Sequence, residues 1–458
     1  MSQLKLFLHK ALSFGFILFI LGFFLSPTPG NHEHIYLYFV LIPFIILLLT
    51  SYTDLAPYTK DRLFICTEIV LFYLAVTVLW GEWHQPMLLF PQLRKILSIT
   101  VLLLTTRIVL QNYPRLQGAI LLVVSLSACV VACLALMQFL PKHFDHLVRF
   151  KPQLGSIVGL GRYENPIRVG WTWGATALCT IWIFYSQGRL NYLWLFLVLP
   201  PQLALLAATL SRGPILGLLV GLSLVLILKR RAVFEKRNLI AALCFLALGI
   251  GGSMTTGLDH KIYSGLTRGK NNFSDEAAQG YSSRIPIWRE SLKQTSHNIF
   301  WGRGFSEDNK KIPIDKEVFK TQKVSKTKMS STPRKVSTLK KIFTHSHNFI
   351  IDVYRFGGLI GVTLVTLHLL YCLILSFRQG SPHDHKIWGV LLCYGITCLL
   401  TNGKYVLNNL SEFWFIYWLP ISFIYALRNL ALTTSQPERP QNLSLGQASS
   451  PYAVISSP

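Results

Sequence analysis

The chain has 458 residues, 51% of them hydrophobic and only 14% charged, with a mean hydropathy of +0.42. That is too apolar for a water-soluble globular protein, so the soluble enzyme classes are excluded and a polytopic membrane protein is implied. The 44 Lys and Arg against 20 Asp and Glu leave a formal charge of +24, whose placement sets the orientation of the chain across a bilayer.

A membrane span takes about 20 mostly apolar residues, and twelve candidate stretches follow one another. The first, 12–26, comes after Lys5 and Lys10 and so resembles a secretory leader. It has no small-residue cleavage site and eleven further spans follow, so it reads as a retained span. The next four are 35–52, 63–80, 96–110 and 119–140. A polar segment, 141–168, ends in the turn signal Asn165-Pro166 ahead of the sixth span at 169–185. Spans 192–210 and 214–228 flank the tight turn "TLSRGP", and 239–253 is the ninth. A long segment, 254–346, precedes the last three at 358–377, 387–400 and 413–427. The tail from Thr433, rich in Ser, Pro and Gln, is expected to be disordered. The organisation is thus 1–253 with nine spans, 254–346 as a large loop, 347–432 with three spans and 433–458 as a tail.

With the N-terminus inside, the inner segments hold 16 basic residues against 9 in the short outer loops, so both termini are expected on the cytoplasmic side. Loops beyond about 60 residues escape this bias, so the long loop with its 18 Lys and Arg can lie outside. Its first part places Ile285, Trp288 and Leu292 at helical spacing and reads as an amphipathic helix on the membrane surface. Its second part, 309–343, holds eleven Lys and Arg and few apolar groups. All eight cysteines fall inside predicted spans, so neither a disulfide framework nor a thiolate metal site is expected.

Arg212 lies in the "SRG" turn between two apolar runs. A guanidinium there either snorkels to the interface or is held for an anion, for which its planar fork suits phosphate oxygens. Arg284, in "SSRIPIW", opens the amphipathic segment. Taken alone it is an ordinary solvated arginine, and the same holds for Arg162 and Arg168 around "GRYENPIR". His345 and His347 stand ahead of the tenth span in "THSHNFIIDVYRFGGLIG". A neutral imidazole accepts a proton near neutral pH, so a histidine beside phosphate-binding arginines is a candidate general base; the alternative is a pair of interfacial histidines capping a span. On a helix starting near His347, Ile351, Tyr354 and Gly358 would share its face, with Asp352 and Arg355 elsewhere. Glu68 is a lone carboxylate within a span and is a functional suspect or a partner for Arg107. "PHDHK", 382–386, lacks further ligands for a metal, and no D-x-D motif is present.

In this order, "SRGPILGLLVGL", "SSRIPIWRESLKQ" with "WGRGF", and "HNFIIDVYRFGGLIG" resemble the O-antigen ligase and polymerase superfamily of bacterial inner-membrane glycosyltransferases. The resemblance covers roughly 141–377. The family's spacing of a His, an Asn, nine residues, a Gly and a small residue three positions later is met by His347, Asn348, Gly358 and Gly361, whereas His345 is out of register. The resemblance implies an all-α polytopic membrane protein of about twelve transmembrane helices, GT-C-like, with one large periplasmic loop containing amphipathic helices. It also implies glycan transfer from undecaprenyl diphosphate to a sugar hydroxyl of lipid A core, without cofactor or metal, and with inversion if attack is direct. His347, Arg284 and Arg212 are then the catalytic candidates, and Arg162, Arg168, Asn348 and His345 the substrate-binding ones. Membrane lipids are expected partners and nucleic acid is not. The alternatives are an O-antigen polymerase or a protein O-oligosaccharyltransferase and, further off, a transporter.

Overall fold

The computed structural model describes residues 2–81, 88–143, 165–186, 192, 194–255, 280–306, 311–314, 341–378, 385–403 and 405–434. Hydrocarbon offers backbone N–H and C=O groups no partner, so long apolar runs close their hydrogen bonds within helices. Every predicted span falls on helix. The first half of the chain runs through α1 (Ser2–Leu25), α2 (Pro29–Tyr36), a π-helical turn (Leu37–Leu41), α3 (Ile42–Thr59), α4 (Arg62–Val76) and α5 (Val78–Gly81). There follow α6 (Leu89–Asn112), α7 (Leu116–His143), α8 (Pro166–Ser186), a second π turn (Trp194–Val198) and α9 (Leu199–Ala208). Next come α10 (Arg212–Leu228), α11 (Arg230–Val233) and α12 (Lys236–Thr255), then, past the start of the large loop, α13 (Gly280–Thr295). The last helices are α14 (Phe349–Phe377), α15 (Lys386–Asn402), α16 (Glu412–Ile416) and α17 (Trp418–Thr434). Among the described residues, five stretches are long and apolar enough to cross a membrane: Gln3–Leu25, Pro29–Thr53, Arg62–Gly81, Leu116–Gln138 and Phe349–Phe377. The chain is therefore an all-α multi-pass membrane protein.

Helix starts are set by local chemistry. Thr28 caps α2 by accepting the Asn31 N–H at 3.1 Å, with Pro29 at the first helical position, and Asp61 caps α4 by accepting the Leu63 N–H at 2.8 Å. Because lipid is as apolar as the side chains, helix association in a membrane rests on close packing and polar ties. The α8 end is tied to α15 by the Tyr394 hydroxyl, 2.9 Å from the carbonyls of both Gly170 and Trp171. At the opposite end of the bundle Asp61 lies 3.9 Å from Arg107 and 3.4 Å from Arg428, so Arg107 is occupied there with Asp61 and the Tyr425 hydroxyl. Glu68 instead accepts a hydrogen bond from Thr100 at 2.8 Å. The expected Glu68–Arg107 pair does not form, because Asp61, nearly two turns earlier than Glu68, claims that arginine.

Among the described residues the large loop holds one helix, α13, and a two-stranded antiparallel ribbon that the sequence did not suggest, with Ile312 opposite Phe343 and Ile314 opposite Lys341. Ile312 and Ile287 are buried against each other and Phe343, which pins the ribbon to α13. Of the apolar stripe expected along α13, Ile285 and Leu292 are exposed and Trp288 is half-buried, while Ile287 and Ser291 face inward.

α14 is broken at Gly358, which adopts φ +61°. The break frees backbone groups that the segment after α13 satisfies: the N–H groups of Leu359 and Ile360 donate to the carbonyls of Ile299 and Phe300, and those of Arg303 and Gly304 to the carbonyls of Arg355 and Phe356. A methyl on Gly358 would lie 2.2 Å from the Phe300 carbonyl oxygen, at a backbone angle L side chains avoid. Gly358→Ala is expected to cost at least about 1–3 kcal/mol from backbone strain alone. A lowered thermal midpoint of the detergent-purified protein checks this, and an unchanged midpoint would show that the break tolerates a side chain.

Candidate functional site

The site is built at the C-terminal end of α15. The chain leaves α9 through Leu210, held at φ +47°, and Ser211, extended, so that Arg212 is the first residue of α10. α10 then packs along α15, so closely that a Cβ on Gly213 would meet the Thr401 hydroxyl at 2.2 Å. From the large loop, Arg284 in the second turn of α13 donates its Nη1 to the Thr401 carbonyl. One residue further, Asn402 Oδ1 lies 2.9 Å from His347 Nδ1. Thr401 and Asn402 thus collect the Arg212 turn, Arg284 and His347, three elements that are 72 and 63 positions apart in the chain. The carbonyls that end a helix carry partial negative charge, which suits a guanidinium there.

His347 does not begin a helix, which corrects the helical-face reading. It sits in the left-handed region at φ +60°, and Asn348 is the N-cap of α14, its Oδ1 accepting the N–H groups of Ile350 and Ile351 at 3.0 and 3.3 Å. The turn is clamped on both sides through Ser346, which is fully buried. Its N–H donates to Asp352 Oδ1 at 3.0 Å, its carbonyl accepts the Trp288 indole N–H at 2.9 Å, and its hydroxyl donates to the Asn348 carbonyl at 2.7 Å. Asp352 pairs at 3.3 Å with Arg355, and each side chain is 1% exposed. His345 packs edge-on to His347 with ring centroids 4.2 Å apart, while its Nδ1 lies 3.1 Å from the Thr344 hydroxyl.

The chemistry follows from these contacts. An amide oxygen accepts only, so the Asn402 bond puts the imidazole proton on Nδ1 and leaves Nε2 as the basic nitrogen. Beside it stand two guanidinium-bearing elements suited to an anion's oxygens. Arg168 stands elsewhere, at the start of α8, 3.6 Å from the buried Glu412. Arg162, most of the Lys-rich stretch 309–343, and His383 with Asp384 lie outside the described residues. Thr401, Asn402, Trp288 and Asp352 were missed by sequence reasoning. "TNG" after an apolar run signals a helix end, and nothing local ties it to a histidine 55 positions away.

Removing one partner of a buried ion pair leaves the other charge uncompensated, so Asp352→Ala is expected to destabilise the protein by roughly 3–5 kcal/mol. Combining it with Arg355→Met is expected to restore part of that loss. Thermal unfolding in detergent reads both, and a double variant no better than the single would contradict the pair's role.

Residues 192–366 match the sequence family described as O-Antigen ligase. An O-antigen ligase of Pseudomonas aeruginosa is 24% identical over 422 residues, covering 92% of this chain and 91% of that protein. Arg212, Arg284 and His347 all fall within the matched segment. The resemblance to the O-antigen ligases drawn from the three motifs is borne out.

Proposed function

We propose that this protein is an O-antigen ligase, a glycosyltransferase of the bacterial inner membrane that moves a glycan from undecaprenyl diphosphate to a sugar hydroxyl of lipid A core. The observation that carries the reading is the meeting of the Arg212 turn, Arg284 and His347 at Thr401 and Asn402. His347 Nε2 accepts the proton of the attacking hydroxyl. The oxygen bonds to the anomeric carbon as the bond to the diphosphate oxygen breaks, and direct attack inverts that centre. The electron pair leaves with undecaprenyl diphosphate, whose growing negative charge Arg212 and Arg284 stabilise. Two guanidinium groups can supply the positive charge that this step needs, so the reading requires no metal. The site and the large basic loop 254–346 are assigned to the periplasmic side, and both termini to the cytoplasm, on the placement of basic residues.

A lipid-borne donor is also supported by an apolar groove of about 700 Å³ running along α4 and α5, from Phe64 to Trp80, with Leu93, Trp301 and Leu364 among its walls. The test is incubation of the purified protein with lipid-linked glycan and separate acceptors. Transfer to lipid A core supports the proposal. Transfer to lipid-linked glycan or to protein replaces it by a polymerase or a protein O-oligosaccharyltransferase, and no transfer to any acceptor removes the enzyme reading.

A further inference from the structure

Helix length fixes where a chain leaves the bilayer. The part of α14 that follows Gly358 has 19 residues, a rise of about 28 Å against the roughly 30 Å of a bilayer's hydrocarbon. The stretch Arg62–Gly81 has 20 residues and crosses the same thickness. Gly358 and the Trp80–Gly81 end of α5 therefore mark the rim of the hydrocarbon, and the turn 299–302, which follows α13, is tied to both. The Leu359 N–H donates to the Ile299 carbonyl at 2.8 Å, the Ile360 N–H to the Phe300 carbonyl at 3.2 Å, and the Trp80 indole N–H to the Trp301 carbonyl at 3.1 Å. Three successive carbonyls of the turn thus have a donor. Irregular backbone is tolerated at membrane depth only where protein groups meet its polar atoms in this way.

The side chains of the turn face outward. Ile299 is 48% exposed, Phe300 62% and Trp301 57%. Because the backbone is held to two helix ends, the loop cannot relax to turn these three large apolar groups inward. In water such a run would be an unpaired sticky patch; at the rim of the hydrocarbon it is an anchor. Exposed Leu79 of α5 and Leu359 of α14 extend the same apolar character along the helices to which the turn is bonded. Trp80 meets Trp301 edge-on with ring centroids 6.2 Å apart, and tryptophans are the residues that collect at the headgroup level. No charged residue stands in 298–302. Arg303, the next one, folds back to donate to the Gln294 amide oxygen at 3.0 Å.

We propose that the turn 299–301 is a wedge inserted into the leaflet on the site's side, with the lipid surface itself as its partner. Ile299 and Phe300 enter the acyl region, and Trp301 stays with Trp80 at the headgroups. α13 runs into the wedge through a tight turn in which the Asn298 N–H donates to the Thr295 carbonyl at 2.9 Å. The wedge therefore seats at the bilayer surface the helix that carries Arg284 and Trp288. A protein partner fits less well, because three side chains offer far less than the roughly 800 Å² per partner that a stable protein interface takes.

The experiment uses the full-length protein in nanodiscs of phosphatidylethanolamine and phosphatidylglycerol. With the photoreactive p-benzoylphenylalanine in place of Phe300, illumination should attach phospholipid acyl chains at that position, read by mass spectrometry. Adducts to protein instead, including a second copy of this chain, or no adduct at all, would overturn the proposal. Hydrogen exchange gives an independent sign. In water, Phe300→Asp would be neutral or favourable, whereas in lipid a carboxylate is driven out of the apolar layer and pulls the turn with it. Exchange of the Leu359 and Ile360 amides, which the turn protects, should therefore rise several-fold in Phe300→Asp. Unchanged or slower exchange would also overturn it. Neither readout involves turnover, so failure of glycan transfer by the native protein would sink the proposed activity and leave this result standing.

Discussion

His347→Ala is expected to lower the rate of glycan transfer by roughly 10²–10⁴-fold, the usual contribution of a positioned general base. The replacement removes the nitrogen proposed to take the proton of the attacking hydroxyl. It also removes the contact to Asn402, while the turn remains held through Ser346 by Asp352 and Trp288. Membrane insertion and donor affinity should therefore survive. Single-turnover transfer from lipid-linked glycan to lipid A core, together with a donor titration, makes the measurement. Asn402→Ala should give a smaller loss, because the imidazole stays in place but its tautomer is no longer fixed. Product formation by His347→Ala at the native rate would exclude the base assignment.

Arg212→Lys and Arg284→Lys are each expected to reduce turnover by roughly 10²–10³-fold, the size of effect seen when one donor to a developing oxyanion is removed. Lysine preserves the charge and loses the planar fork, so a large effect would identify shaped recognition of phosphate oxygens over simple attraction. Arg284 also donates to the Thr401 carbonyl. Its replacement should thus lower the thermal midpoint as well. If both arginines act on one diphosphate, the double variant should lose less than the product of the single losses, because the groups act as a unit. Full activity in both single variants would remove diphosphate stabilisation from the mechanism.

Much of the helical layout was legible because apolar run length is a local property. Every predicted span lies on helix, and the "SRG" turn does open one. The three catalytic candidates came from spacing and family resemblance, and the fold brings them to two adjacent residues. What could not be read was long-range or conformational. Asn402 joins these residues because the turn ahead of α14 brings His347 to the end of α15, where α10 and Arg284 of α13 meet Thr401. The face expected from His347 failed because that residue lies outside α14 with a positive φ. The buried face of α13 escaped the sequence reading for a different reason. In a bilayer an exposed Ile285 or Leu292 need not be turned inward, so apolar periodicity marks a lipid-facing side as readily as a core-facing one. The buried face of α13 is instead marked by Ile287 and Ser291, a pattern too mixed to stand out.

α13 contributes Arg284 to the end of α15 and Trp288 to the turn that carries His347. These two residues are one helical turn apart on a single short rod. Transmembrane helices tilt as the local thickness of the lipid changes, and each does so about its own contacts. A rod tied to both partners makes the spacing between cation and base depend on one turn of helix, a length the surrounding lipid does not stretch. Composition changes in the bilayer should then act on how substrates arrive and depart, and leave the chemical step itself largely insensitive.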